Sequence, residues 1–244
     1  MDPLREIASH VWQLPFPVGH VHIVALPDDG YALVDTGIPG SAPAVLDALA
    51  RLGGRPRDVR EIVLTHSHMD HIGSAADLVA ATGARVLAGA LDAPYIRGTA
   101  PEPRPVLTPA ERPLHEGNMA RLAADGVQLP PPVRVDTELH DGDTLPEWPE
   151  PVHVLHVPGH TPGSIALHLP QSRLLFPGDT IGADPDGRRA VLGPFNVDRE
   201  TAIASFRRLA ALEDVDTVCV PHGGPIVGDA RAVLGAATPE TDWL

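Results

Sequence analysis

The segment Thr65-His66-Ser67-His68-Met69-Asp70-His71 constrains this chain more than any other. It places three histidines and a carboxylate within six consecutive residues, directly after the β-prone run Glu61-Ile62-Val63-Leu64. A short apolar run of this kind reads as a buried strand, so the polar residues emerge at a strand exit. In extended backbone, residues two apart point the same way. His66 and His68 are therefore expected to grip one metal ion together. Asp70 and His71 fall where the chain turns into a helix, and can face a second ion. The alternative is a solvated histidine-rich loop, which would need no further partners. Two ions need more ligands than this segment supplies.

Three more candidates stand at the ends of apolar runs. His160 follows Val-Leu-His-Val-Pro, Asp179 follows Leu-Leu-Phe-Pro, and His222 follows Thr-Val-Cys-Val-Pro. Each has glycine or proline beside it, where backbone bends sharply. One such histidine would read as an ordinary polar residue; three residues in the same context argue for one assembled site. Because these candidates are spread from the first third of the 244 residues to near the end, a single domain over 1–244 is expected.

The rest of the pattern predicts the scaffold. Aromatic residues make up only 4% of the chain, so Ala, Leu and Val must build the core. Residues 21–37 read as a hairpin, 41–53 as a helix capped by Ser41 and ended by Gly53, 75–82 as a helix and 85–88 as a strand. Residues 98–135 are rich in proline and lose the pattern, apart from a helix near 114–124; they read as a lid or insertion, or else as a surface loop. Strands then return at 152–158, as a hairpin over 164–179 turning at Gln171 and Ser172, and before His222. A helix over 199–212 precedes the last of them. A strand meander followed by alternating strands and helices, repeated in the second half, predicts an α+β fold with sheets inside and helices outside.

The motifs Thr-His-Ser-His-Met-Asp-His, Pro-Gly-His-Thr-Pro-Gly-Ser, Pro-Gly-Asp-Thr and Pro-His-Gly-Gly, with Val34-Asp35-Thr36-Gly37 ahead of them, resemble in order and spacing the metallo-β-lactamase superfamily. The resemblance covers about Val21 to Gly224. It implies an αββα sandwich, two mixed sheets packed face to face with helices outside. It implies that His66, His68 and His160 hold one metal, that Asp70, His71 and His222 hold a second, and that Asp179 bridges them. Asp35 would stand behind the ligands. Imidazole and carboxylate without cysteine suit two divalent ions, zinc first, with iron, manganese or cobalt as alternatives. Such a pair would make hydroxide available at neutral pH for attack on a carbonyl, with Asp70 as the catalytic residue that orients it and moves its proton.

The resemblance narrows the reaction too. An aspartate at position 179 points away from the β-lactam-hydrolysing branch and toward the glyoxalase II-like and lactonase-like branches. Only 22 residues follow His222, which is short of the helical extension of true glyoxalase II and counts against glutathione thioesters. A small ester, thioester or lactone is the expected substrate. A mono-iron persulfide dioxygenase is the first alternative, and a phosphodiesterase or nuclease of the same fold the second. A non-enzymatic binder would not need the full ligand set.

Charge and flanking residues add limits. The net charge of −14 counts against a nucleic-acid partner. The N-terminal residues show no signal-peptide pattern and no stretch suits a bilayer, so a cytoplasmic protein with a small-molecule substrate and no membrane partner is expected. Cys219, the one cysteine, reads as a core residue. His20 and His22 stand at the first hairpin and His115 in the 98–135 segment; all three are candidate substrate contacts. His10, His140 and His168 read as surface or structural, and one of His153 and His156 as a support for His160. Arg97 and Arg104 read as solvated.

Overall fold

A computed structural model describes residues 4–241 of the protein. The first half of the chain builds a seven-stranded sheet whose strands lie in chain order. These are β1 (Arg5–Ala8), β2 (Val11–Leu14), β3 (Val21–Leu26), β4 (Gly30–Val34), β5 (Val59–Leu64), β6 (Arg85–Gly89) and β7 (Thr137–Leu139). Pairing is antiparallel from β1 to β4 and parallel from β4 to β7. The second half builds a six-stranded sheet. It takes β8 (Thr144–Leu145), β9 (Val152–His156), β10 (Ile165–Leu169) and β11 (Leu174–Phe176), and, after a separate ribbon of β12 (Ile181–Ala183) and β13 (Ala190–Leu192), β14 (Thr217–Val218) and β15 (Ile226–Val227). Only β11 and β14 pair in parallel there.

Alternation along the strands explains how the sheets stack. In β4, Ala32 and Val34 face the second sheet while Leu33 faces outward; in β10, Ile165 and Leu167 face the first sheet while Ala166 faces outward. Both faces of each sheet are thus buried, which is why several strands read as unbroken apolar runs. Val24, Val63 and Leu87 meet Val154, Leu167 and Phe176 between the sheets. Among the described residues seven α-helices complete the fold: α1 (Ala42–Arg51), α2 (Met69–Ile72), α3 (Ala75–Thr82), α4 (Ala93–Ile96), α5 (Glu111–Ala124), α6 (Arg199–Ala210) and α7 (Ala230–Gly235). Val45, Leu49 and Leu78 of α1 and α3 cover the first sheet, and Phe206, Leu209 and Leu234 of α6 and α7 cover the second. The order helix, sheet, sheet, helix is the αββα sandwich that the resemblance implied.

Local expectations hold with two refinements. Ser41 occupies the α1 cap position, but its side chain makes no capping bond; its backbone N–H instead donates to Ser74 Oγ at 2.8 Å. A side-chain cap forms at α6, where Asp198 accepts from Thr201 N. Residues 98–135 carry α5, of which only Glu111 is buried. Among the described residues no helix is long and apolar enough to cross a membrane.

Topology decides where the polar residues gather. β4, β5 and β6 run parallel, so Asp35, His66 and Asp92 all leave the first sheet at one edge. β9, β11 and β14 also run alike, so His160, Asp179 and His222 leave the second sheet together. Sites outside the carboxyl ends of strands are a general outcome of this kind of chain path.

Candidate metal centre

All seven expected ligand residues converge at that edge. Donor atoms of His66, His68, His160 and Asp179 lie within 4.8 Å of one another, as do those of Asp70, His71 and His222. Asp179 faces both groups: Oδ1 is 3.2 Å from His71 Nε2, and Oδ2 is 3.3 Å from both His160 Nε2 and His222 Nε2. His160 Nε2 and His68 Nδ1 are 2.8 Å apart. His222 Nε2 is 3.3 Å from Asp70 Oδ2. His66 and His71 are fully buried, whereas the side chains of Asp70 and His222 keep 20% and 22% exposure. The cluster therefore has a closed floor and an open side, where Asp70 and His222 stand.

A chain of hydrogen bonds sets which nitrogen each buried ring offers. Asp35 leaves β4 at φ 63°, and its Oδ1 accepts Thr65 N at 2.8 Å. Its Oδ2 accepts Thr65 Oγ1 at 2.9 Å and His71 Nδ1 at 2.8 Å. Thr65 spends its single hydroxyl proton on Asp35, so it accepts from His66 Nδ1, 3.1 Å away. Both rings thereby carry a proton on Nδ1 and turn Nε2 to the centre; although burial opposes it, the Asp179, Asp70 and Asp35 carboxylates raise His71 well above the usual imidazole range. A carboxylate behind a ligating imidazole is a recurrent way to fix its tautomer.

The residues fit a cation. His66 Nε2, His71 Nε2 and Asp179 Oδ1 are buried and have no hydrogen-bond partner. Native interiors rarely leave such atoms unsatisfied without a bound species to explain them. Burial keeps His66 well below the usual imidazole range and His160 at about 3, the neutral form that offers a lone pair. Burial also opposes charge on His222, but the Asp179 and Asp70 carboxylates outweigh it and raise that ring to about 10. The histidines in turn hold Asp70 and Asp179 well below the usual carboxylate range against the opposing effect of burial. A divalent ion compensates the same carboxylates without protons.

The sequence comparisons agree with this geometry. The family model described as metallo-beta-lactamase superfamily matches residues 15–222. The chain belongs to the metallo-beta-lactamase superfamily. It is 30% identical to a probable metallo-hydrolase, YflN, of Bacillus subtilis, over 91% of this chain and 87% of the relative. It is 35% identical to a hydroxyacylglutathione hydrolase of Cereibacter sphaeroides over 76% of this chain, but spans only 55% of that relative's length. Among solved structures, a metallo-beta-lactamase HARLDQ-motif mutant from Cronobacter sakazakii superposes with a TM-score of 0.68 at 26% identity, covering 91% of this chain and 81% of that one. A subclass B3 metallo-beta-lactamase of Bradyrhizobium japonicum, at 23% identity and a TM-score of 0.64, shares the fold over 90% of this chain and 77% of its own. Membership and the His/Asp cluster together make the chain a metal-dependent hydrolase of this superfamily.

The structure also shows how the loops around the cluster are held, in part by Asp92, which the sequence did not single out. Asp92, beyond β6, is buried and accepts Ser67 N at 2.9 Å, Thr161 Oγ1 at 2.6 Å and Gly163 N at 2.6 Å. It ties the loop of His66 and His68 to the loop of His160. Burial pushes its carboxyl up to about 6 despite those bonds. Beside it β6 meets the loop before β10 backbone to backbone: a Cβ on Gly89 would lie 1.9 Å from Gly163 O, so only glycine fits there. His156 Nε2 donates to Pro162 O at 2.8 Å, making it the histidine that supports the His160 loop.

Three expected substrate contacts fare differently. His22 is corrected. It shares the inward face of β3 with Val24, is 2% exposed, and packs edge-on against Phe176 between the sheets. No substrate reaches that ring; burial lowers it to about 3. His20 is half-buried and bonded to the loop of His222 through Pro221 O and Gly223 O. His115, on α5, is half-buried with its ring 5.1 Å from that of Phe195. The 98–135 segment is fastened to the rim of the cluster at several points. Glu102 Oε1 accepts Ser67 Oγ at 2.6 Å, Val106 N donates to Asn196 O at 2.9 Å, and Glu111 accepts Phe195 N at 3.1 Å. Arg97 is not merely solvated, since it pairs with Glu138 and donates to Val135 O.

Proposed function

We propose that the chain hydrolyses a small ester, thioester or lactone with two divalent metal ions, zinc being the best match to the donor set. The observation that carries this reading is the convergence of seven His and Asp side chains on one space, with His66 Nε2, His71 Nε2 and Asp179 Oδ1 buried there. His66, His68 and His160 would hold one ion, Asp70, His71 and His222 the other, and Asp179 both. When bound, such a pair supplies hydroxide at neutral pH and polarises a carbonyl oxygen.

The chain's own residues account for the rest. Asp35 and Thr65 keep His71 and His66 aimed, so no reorganisation is needed when substrate arrives. Asp70 stands at the open side, where it would orient the attacking hydroxide and pass that hydroxide's proton to the leaving group. Residues 102–115, tied down at Ser67, Asn196 and Phe195, would form one wall of the substrate site, with His115 and Phe195 as its aromatic part. The relative named as a hydroxyacylglutathione hydrolase favours transfer of an acyl group to water, and the net charge of −14 favours a small substrate over nucleic acid.

The test is a panel of short-chain esters, thioesters, lactones and a phosphodiester. Turnover of at least one carbonyl substrate is expected, abolished by a chelator and restored by zinc. Turnover confined to the phosphodiester would overturn the assignment.

A further inference from the structure

The two halves of the cluster are held by different devices. Asp92 bonds the loops that carry His66, His68 and His160. The residues of the other half, Asp70 and His222, both lie against the turn that joins β2 to β3. Gly19 of that turn, at φ 65°, packs so closely on Asp70 that a Cβ there would lie 2.3 Å from Asp70 O. Its neighbour His20 donates its backbone N–H to Pro221 O at 2.8 Å. The His20 ring accepts Phe16 N at Nδ1, 3.2 Å away, and lies 3.0 Å from Gly223 O at Nε2. Because Nδ1 accepts, the ring proton is on Nε2 and is donated to Gly223 O. His222 is thus flanked on both sides by residues bonded to His20, and Asp70 rests on Gly19.

We propose that the Phe16–His20 turn is a positioning device for the second metal site alone, with His20 as the positioning residue that sets occupancy by the ion held by Asp70, His71 and His222. The inference rests on the two-metal reading above. Removing the ring breaks the bond to Gly223 O and leaves the Pro221–Gly223 loop on backbone bonds, from His20 N to Pro221 O and from Ala183 N to His222 O, so the aim of His222 loosens while the Asp92 brace stays intact. Supports one shell behind a metal ligand typically change affinity by about 10–100-fold.

Two substitutions separate the ring's two bonds. His20→Gln can still donate to Gly223 O from its amide nitrogen. His20→Asn is too short for that and retains only the acceptor toward Phe16 N.

The experiment titrates the metal-free, full-length protein with zinc alone against a chromophoric chelator, and counts bound ions by elemental analysis. Wild type is expected to take two ions. His20→Ala and His20→Asn are expected to keep the first unchanged and bind the second about 10–100-fold more weakly, with His20→Gln close to wild type. Gly19→Ala, which forces the turn off Asp70, should show the same selective loss and serves if His20→Ala does not fold. An unchanged second ion in His20→Ala and Gly19→Ala, or equal weakening of both ions, overturns the inference. A wild type that takes up no ion overturns the two-metal reading itself.

Discussion

Asp179→Ala is expected to lower hydrolysis of the best carbonyl substrate by roughly 10³-fold or more. That exceeds the 10–100-fold typical of a support one shell behind a ligand. The reason is geometric. Asp179 is the only residue of the cluster whose two oxygens approach rings of both groups, at 3.2 Å from His71 and 3.3 Å from His160 and His222. Its loss also leaves His71 and His222 with only Asp70 and Asp35 to balance them. Metal content should fall below two per chain in the same preparation. Retention of two ions with near-normal turnover would show that Asp179 bridges nothing. The fold itself should survive, because Asp179 lies in a tight turn beyond β11 and belongs to none of the three apolar clusters.

Asp70→Asn isolates the chemistry from the binding of metal. Asparagine keeps an oxygen for the second ion but cannot take up a proton. The expected result is a fall in kcat of about 10²–10⁴-fold, the usual value of positioned acid–base catalysis, with KM little changed and the first ion retained. Steady-state kinetics with parallel metal analysis reads both quantities. A KM rise at constant kcat would instead make Asp70 a substrate-binding residue, and full activity would remove it from the mechanism.

The parts of this site legible in the sequence were those written locally. His66, His68, Asp70 and His71 lie in one segment, and His160, Asp179 and His222 each end an apolar run, so strand exits could be read one at a time. The sandwich itself came from the resemblance, because which sheet a strand joins depends on pairings such as β11 with β14, some 40 residues apart, that periodicity does not encode. Asp92 was invisible for the same reason. It sits in an ordinary Leu-Asp-Ala context, and its partners Ser67, Thr161 and Gly163 are 25, 69 and 71 residues away. His22 was misread although a signal existed. It is two residues from Val24, and parity along β3 sends both side chains between the sheets. Its near neighbour His20 precedes the strand and escapes that parity. The edge strands β1 and β15, of four and two residues, carry too little pattern to be found at all.

The supports behind the ligands explain why the cluster can be specific without cysteine. Asp35 and Thr65 set tautomers, Asp92 joins two loops across the sheets, and the turn before β3 backs Asp70 and His222. Each acts on a backbone segment or ring at the carboxyl edge, where parallel strands deliver their loops to one place. The same edge receives residues 102–115, so the His/Asp cluster and the wall that would meet the substrate share one border.

The most direct test of the central claim is the metal content of the purified chain, by elemental analysis, with activity followed during chelation and zinc return. The account predicts about two zinc ions per chain and carbonyl-substrate hydrolysis that disappears and returns with them. One iron per chain, with oxygen consumed in place of hydrolysis, would contradict it.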